Sequence, residues 1–229
     1  PRSLVALNVA NGSEKVDTPP ENVDILNFHY ASPPVALEQN ASLRRPIFFD
    51  ESGFRGSDPA PYRTEAWEFL LAGGAGYNGL DWSFAVGRED GSDTRADAHL
   101  GPRSAALRRS LGALRAFLEP MDLRRAQPRP DLVRPAPTGV SVRLLADPGR
   151  RYALYVHHPE ATPARSVALA LPAGAYRLRW VDPSSGATVG EEVREHGSGD
   201  LGLALPAHGI DLALHLLPLR RGAGAAGIL

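Results

Sequence analysis

The sequence predicts an α/β region that is followed by an all-β region. Over residues 1–119, apolar runs of strand length alternate with segments of helical periodicity, which is typical of a parallel sheet with helices. Residues 120–137 contain five prolines and little periodicity, which predicts a linker. Over residues 138–218, strand-like runs recur at roughly ten-residue spacing with turn sequences between them, which is typical of an antiparallel β-sandwich.

The α/β region begins with apolar runs that predict buried strands. These strands are expected at residues 4–9, 23–30 and 47–51. The next segment, 62–72, has apolar residues at helical spacing and predicts a helix that ends at the glycine pair 73–74. A fourth strand at 77–84 and a second helix at 103–118, with its apolar residues on one face, complete the region.

The all-β region is expected to contain seven strands. They are predicted at 140–145, 152–157, 167–171, 176–181, 187–193, 201–205 and 210–217. The Gly- and Ala-rich tail, 219–229, is expected to be disordered. Because four strands of α/β type cannot close a barrel, the chain is expected to be the C-terminal part of a longer protein.

Composition narrows the classes of function. The net charge of −1 and the lack of a run of basic residues give no reason to expect nucleic acid as a partner. The absence of cysteine excludes disulfides, thiolate metal sites and a cysteine nucleophile. No signal peptide or membrane-spanning run is visible, and no motif indicates a metal or another cofactor.

The segment 46–53 combines an apolar strand with two carboxylates and a Gly-containing loop. In parallel α/β folds, catalytic groups lie at such C-terminal strand ends. Strand alternation predicts that Asp50 and Glu51 point to opposite sides, so that one faces a cleft while the other caps the loop or pairs with Arg55 or Arg63. The alternative interpretation is that both are solvated turn residues.

Three strand ends carry a resemblance to a known family. The segments 27–30 (Asn-Phe-His-Tyr), 49–51 (Phe-Asp-Glu) and 80–84 (Leu-Asp-Trp-Ser-Phe) resemble strands six, seven and eight of the (β/α)8 TIM barrel in clan A, cellulase-like glycoside hydrolases. The run 62–82 is similar to bacterial members that carry a C-terminal β-sandwich, which is labelled a collagen-binding domain. The resemblance therefore implies the C-terminal half of a barrel followed by an accessory β-sandwich.

The resemblance also implies roles for individual residues. Glu51 matches the nucleophile, His29 and Tyr30 match residues that contact it, and Trp82 matches the floor of the sugar subsite. Strand alternation predicts that only one of His29 and Tyr30 lines the site. Trp82 has a second interpretation as a residue of the barrel core.

Weaker candidates lie beside these residues. Asn27 and Asp81 are further candidates for hydrogen bonds to the substrate. In the family the acid/base is a Glu after an Asn at the fourth strand, and no such strand precedes Leu4. The chain is therefore expected to carry the nucleophile without the acid/base and to be inactive alone, its missing partner being the N-terminal half of the barrel.

Other motifs favour structural interpretations. The pair His157 and His158 follows a strand without a spaced partner acid, which favours a surface pair over a metal site. Tyr176 and Trp180 bind a glycan if they share an outer face, whereas aromatic residues in a sandwich more often pack in its core.

The sequence thus predicts a glycoside hydrolase, retaining in mechanism, that acts on a polysaccharide or oligosaccharide outside the cytoplasm or in the periplasm. A retaining enzyme needs two carboxyl groups about 5 to 5.5 Å apart, one as nucleophile and one as acid/base. The alternative is a non-catalytic carbohydrate- or matrix-binding protein with a degenerate barrel. No cofactor is expected in either case.

Overall fold

The computed structural model describes residues 2–10, 15–31, 35–93, 95, 104–158 and 164–219. The chain forms two compact units. The first comprises Pro1–Phe117 with Pro183–Gly186, and the second comprises Leu118–Asp182 with Ala187–Leu229. The tail expected to be disordered lies, from residue 220 onward, outside the described residues.

A four-stranded parallel sheet forms the centre of the first unit, in the order β1-β2-β3-β4. Its strands are β1 (Ala6–Val9), β2 (Ile25–His29), β3 (Ile47–Ser52) and β4 (Gly76–Gly79). The helices are α1 (Val35–Asn40), α2 (Ala60–Leu71) and α3 (Ala105–Leu118). All four predicted strands and both predicted helices are confirmed.

Two details of the first unit differ from the prediction. Helix α1 was not predicted, because its apolar run, 35–37, is shorter than one helical turn. The fourth strand ends at Gly79 instead of continuing to residue 84, so Asp81 and Trp82 lie in a turn beyond it. A Gly-rich strand has few side chains to pack, which is consistent with its early end.

Alternate residues of β2 and β3 build the core of this unit. Leu26 and Phe28 on β2 and Ile47 and Phe49 on β3 are buried in one apolar cluster. The Phe49 ring lies 5.5 Å, edge to face, from the ring of Phe69 on α2. Burial of each such side chain contributes about 1.5–3 kcal/mol. The opposite face carries Ile25 and Phe48 and, toward the C-terminal strand ends, polar residues.

The second unit contains two antiparallel sheets. Its strands are β5 (Gln127–Pro128), β6 (Ser141–Asp147), β7 (Arg151–His157), β8 (Ser166–Leu169), β9 (Gly174–Val181), β10 (Thr188–His196), β11 (Leu201–Ala204) and β12 (Asp211–Leu219). The larger sheet has the order β10-β9-β12-β7-β6-β5, and the smaller sheet pairs β11 with β8. The seven predicted strands are present.

The segment predicted as a linker contains structure of its own. Gln127 and Pro128 pair with Ala146 and Leu145 at the edge of the larger sheet, and a 3-10 turn, Pro130–Leu132, follows. Proline lacks a backbone N–H and is therefore tolerated in an edge strand. The proline content marked a sheet edge as well as a connection.

Both sheets contribute to a single hydrophobic cluster. Leu154 and Leu178 of the larger sheet pack in it with Leu169 and Leu203 of the smaller one. Tyr176 and Trp180 are only 3% and 4% exposed and belong to the same cluster. The core interpretation of these two aromatics is confirmed, and a glycan-binding outer face made of them is excluded.

The expectation of a surface histidine pair is wrong for His158, which is buried. Its Nε2 lies 2.9 Å from Nε2 of His208, and the Nδ1 of His208 lies 2.6 Å from the carbonyl oxygen of Pro206. Across the described residues, no cluster of three or more metal-binding side chains is found. Among the same residues, no helix has the length and apolarity needed to cross a membrane.

Candidate active site

The candidate site lies at the C-terminal ends of β2 and β3. The two strands pair with Phe28 opposite Phe49, but the next pair is His29 opposite Glu51, so Asp50 is an extra residue in β3. Such a bulge redirects the side chains that follow it. Glu51 consequently shares a face with His29, and the distance from His29 Nδ1 to Glu51 Oε2 is 3.0 Å.

Tyr30 reaches the same carboxylate from the next position. Its φ of 55° places it in the left-handed region, which interrupts the strand alternation. The Tyr30 hydroxyl donates a hydrogen bond to Glu51 Oε1, and the Tyr30 backbone N–H donates to the Glu51 carbonyl at 2.8 Å. The expectation that only one of His29 and Tyr30 lines the site is therefore wrong, because the bulge and the left-handed turn bring both to Glu51.

One donor thus holds each oxygen of the Glu51 carboxylate. Burial and the adjacent Glu51 carboxylate raise the pKa of Tyr30 to about 12, so its hydroxyl remains a donor at neutral pH. His29 donates through Nδ1 when its ring is neutral and carries the proton there. The Glu51 side chain is still 30% exposed. It is an oriented carboxylate that a ligand can reach.

The bulge also places Asp50 on the polar face, beside Glu51. Asp50 Oδ2 accepts a hydrogen bond from Asn27 Nδ2 at 3.0 Å, and the same amide donates to Asn8 Oδ1 at 2.8 Å. Asn78 Nδ2 donates to the Asp50 carbonyl at 3.0 Å. Each of the four strands contributes one residue to this polar row.

Two expectations for Asp50 are corrected by this row. Asp50 and Glu51 were expected on opposite sides, yet Asp50 meets Asn27 and Glu51 meets His29, which are alternate residues of one strand face. Arg55 was a predicted partner of Asp50 but pairs with Glu65. The inserted residue in β3 accounts for the first difference, since it shifts the alternation by one position.

A buried carboxylate, Glu65 on α2, fixes the end of β3 from the opposite side. Its side chain is only 4% exposed and accepts hydrogen bonds from the Ser52 hydroxyl and the Arg55 guanidinium. The Tyr77 hydroxyl donates to it at 3.4 Å. Ser52 directly follows Glu51, so this network anchors the backbone that carries the candidate nucleophile.

Sequence reasoning missed Glu65. A carboxylate within the apolar segment 62–72 is the signal that was available, because an acid buried among apolar residues requires hydrogen-bonding partners. The sequence did not show that Ser52 and Arg55 provide them.

Asp81 and Trp82 lie in the turn after β4. Asp81 Oδ2 accepts from Arg108 at 2.8 Å, and its Oδ1 accepts from the Ser83 N–H at 2.9 Å. Burial opposes the charged form of Asp81, but the hydrogen bonds from Ser83 and Arg108 outweigh it and lower the pKa of Asp81. The Trp82 side chain is 40% exposed among the described residues.

No protein-family model and no curated protein sequence matches this chain. Solved structures do resemble it. One, described as a glycoside hydrolase, has a TM-score of 0.56 at 9% sequence identity, over 86% of this chain and 58% of its own. Another, a glycoside hydrolase family 5 protein from Bacteroides vulgatus, has a TM-score of 0.57 at 11% identity, over 86% and 56%.

The chain therefore shares the fold of part of these TIM-barrel structures. It spans less than two thirds of the length of each of these two structures. At such low identities the likeness defines the fold alone.

Proposed function

We propose that this chain carries the nucleophile, Glu51, of a retaining glycoside hydrolase that cleaves O-glycosidic bonds in a polysaccharide or oligosaccharide. The observation that carries the proposal is the way Glu51 is held at a C-terminal strand end, with one donor to each carboxylate oxygen and a side chain that is 30% exposed. This exposure leaves the oriented carboxylate within reach of a ligand.

In the proposed reaction, a Glu51 oxygen attacks the anomeric carbon while the bond to the leaving oxygen breaks. An acid, proposed to lie outside this chain, protonates that oxygen, and water then hydrolyses the glycosyl ester and releases Glu51 as a carboxylate. Tyr30 and His29 orient the attacking carboxylate through their hydrogen bonds.

The remaining candidates receive different roles in this proposal. Trp82 offers an exposed indole face to the sugar. Asp81 holds the turn that carries Trp82, through Ser83 and Arg108. The Asn27 amide donates to Asp50 and Asn8, so Asn27 is proposed to hold the polar row beside Glu51 that meets a substrate hydroxyl.

We propose that the second unit, whose two antiparallel sheets share one core, is an accessory β-sandwich of the same enzyme. The proposed place of action is outside the cytoplasm or in the periplasm, because polysaccharide-active proteins usually act there. The resemblance to domains labelled collagen-binding gives collagen as one ligand to test.

The decisive experiment uses the full-length protein, meaning this chain together with the sequence proposed to carry the acid. It compares Glu51→Gln with the unmodified protein on a panel of aryl glycosides. We expect the variant to lose at least about 10³-fold in kcat/KM, since amides are poor nucleophiles. Azide should rescue a Glu51→Ala variant and form a glycosyl azide. The matched control is Asp50→Asn, which removes the neighbouring charge and should lose far less. Equal losses in the two variants, or no azide product, contradict the proposal.

A cleft in the second unit supports the alternative of a carbohydrate- or matrix-binding protein. It has a volume of about 410 Å³ and is lined by Arg129, Arg134, Tyr152 and Asp200 among others. The Arg134 guanidinium pairs with the Asp200 carboxylate at 2.8 Å, which places polar groups of both signs at the cleft. Polysaccharide or collagen binding by a full-length protein that hydrolyses no glycoside favours this alternative.

A further inference from the structure

Two aromatic residues at the candidate site have an unusual backbone conformation. Tyr30 and Phe54 have φ values of 55° and 62°, in the left-handed region. Side chains with a Cβ are disfavoured there, and such positions are concentrated at functional sites. Among the described residues, Arg44 is the one other residue besides glycine with a positive φ.

The Phe54 ring packs beside the residue that contacts Glu51. Its centroid is 5.8 Å from the centroid of the Tyr30 ring, at an interplanar angle of 51°. Phe54 is nevertheless 54% exposed, so much of its apolar surface remains in contact with solvent. Among the described residues, apolar packing thus covers less than half of this side chain.

The residue that follows Phe54 is firmly anchored. The Arg55 N–H donates to the Tyr62 hydroxyl oxygen at 2.8 Å, the Tyr62 hydroxyl donates to the Gly56 carbonyl at 3.0 Å, and the Arg55 guanidinium pairs with Glu65. These contacts hold the loop and with it the disfavoured backbone of Phe54. The loop therefore presents an exposed ring in a fixed position.

We propose that Phe54 is a stacking platform for a pyranose unit next to the one attacked at Glu51. A pyranose whose hydroxyls are mostly equatorial presents C–H groups on its face, and an exposed aromatic ring is their natural apolar partner. The proposal rests on the proposed function and deepens it. It makes the substrate an oligosaccharide or polysaccharide of such sugars, because a platform beyond the cleaved unit needs a second sugar to fill it.

The test measures binding directly, so that it does not depend on turnover. Full-length protein with Glu51→Gln is titrated calorimetrically with β-1,4-linked gluco-, xylo- and manno-tetrasaccharides, with and without Phe54→Gly. We expect Phe54→Gly to raise the Kd of the best ligand roughly tenfold, in line with the energy of an aromatic contact. Phe54→Trp, which keeps a flat ring, should restore tight binding.

Stability separates this role from a structural one. Glycine accepts a positive φ without strain, so Phe54→Gly should unfold at the same temperature as the parent or higher. The matched control is Leu123→Ala, because Leu123 is an apolar residue of similar exposure, 59%, and lies in the second unit. It should leave the Kd unchanged.

Three results overturn the proposal: an unchanged Kd in Phe54→Gly, no binding of any of the three tetrasaccharides, or a large loss of stability in Phe54→Gly. Failure of the proposed function looks different. In that case the protein hydrolyses no glycoside, yet tetrasaccharide binding still depends on Phe54.

Discussion

At the scale of single residues, the chemistry depends on how Glu51 is held. Tyr30 and His29 each donate to a different carboxylate oxygen, which fixes the rotation of the group. A hydrogen bond to a charged acceptor contributes about 1.5–3 kcal/mol. In the proposed reaction the orientation of Glu51 is therefore set before a substrate arrives, and this preorganisation favours the proposed attack at the anomeric carbon.

Tyr30→Phe tests this arrangement because it removes the hydroxyl and keeps the ring. We expect kcat/KM of the full-length enzyme to fall by about 10- to 100-fold, the equivalent of one charge-assisted hydrogen bond. A loss below about twofold contradicts the role of Tyr30. A matched control is Tyr155→Phe, since that hydroxyl donates to Asp211 in the second unit, at 3.0 Å.

The Tyr30→Phe variant also allows the titration of Tyr30 to be measured. Burial and the Glu51 carboxylate raise the pKa of Tyr30 to about 12, above the ordinary value of 10.0. The pKa of Tyr30 is higher in the folded protein than in the unfolded chain, so the protonated hydroxyl stabilises the folded state. This stabilisation is complete below pH 10 and is lost as the pH rises through about 12. The difference in tyrosinate absorbance between the parent and Tyr30→Phe should therefore show one group titrating near pH 12. Titration of that group at pH 10 contradicts the expectation.

At the scale of elements, the bulge in β3 and the helix behind it decide the geometry. The bulge places Asp50 and Glu51 on one face and leaves Ser52 to meet Glu65 on α2. Burial and the Glu65 carboxylate raise the pKa of Tyr77 above its ordinary range. Strand and helix are joined here by charge-assisted hydrogen bonds as well as by apolar packing.

Glu65→Leu should destabilise the first unit by about 2–4 kcal/mol, because the buried Ser52 hydroxyl and the Arg55 charge lose their acceptor. Urea unfolding followed by fluorescence measures this change. Glu21→Gln, an exposed change in the same unit, serves as the control and should remain within about 0.5 kcal/mol. A Glu65→Leu protein as stable as the control contradicts the structural role of the network.

A pair of glycine substitutions tests the packing of the two long helices. A Cβ at Gly74 overlaps the buried Phe69 ring and lies 2.9 Å from the Phe69 carbonyl oxygen, whereas a Cβ at Gly112 in α3 meets nothing within 4 Å. We expect Gly74→Ala to cost about 1–3 kcal/mol by overpacking. Gly112→Ala should stabilise by about 0.5–1 kcal/mol through helix propensity. Thermal unfolding of both variants gives the comparison, and equal effects of the same sign contradict it.

At the scale of the whole molecule, the chain spans 58% and 56% of the two glycoside hydrolases that it resembles. A retaining mechanism needs two carboxyl groups about 5 to 5.5 Å apart, and the proposal assigns the second to sequence outside this chain. The 229-residue chain is therefore expected to be folded but inactive.

Expression of the 229-residue chain beside the full-length protein tests this expectation. Circular dichroism should show a folded protein in both cases, and aryl glycoside hydrolysis should occur with the full-length protein alone. If the 229-residue chain hydrolyses aryl glycosides and Glu51→Gln abolishes that activity, the acid/base lies within these 229 residues.

Sequence pattern alone predicted the four parallel strands, the two longer helices, seven strands of the second unit and the location of the carboxylates. Short apolar runs bounded by turn residues indicate the strands of both units, because a buried strand is recognisable from its local sequence pattern. Asp50 and Glu51 follow directly from where the run 47–51 ends. The candidates His29, Tyr30 and Trp82 came from the resemblance of the strand ends.

Which of these side chains contact one another depends on the tertiary structure. The convergence of His29 and Tyr30 on Glu51 depends on one inserted residue in β3 and on a left-handed residue after β2, and neither has a local sequence signal. The buried Glu65 network joins residues from two strands, a loop and a helix. Strand register and long-range hydrogen bonds arise from packing between segments distant in sequence, which is why the structure alone revealed them.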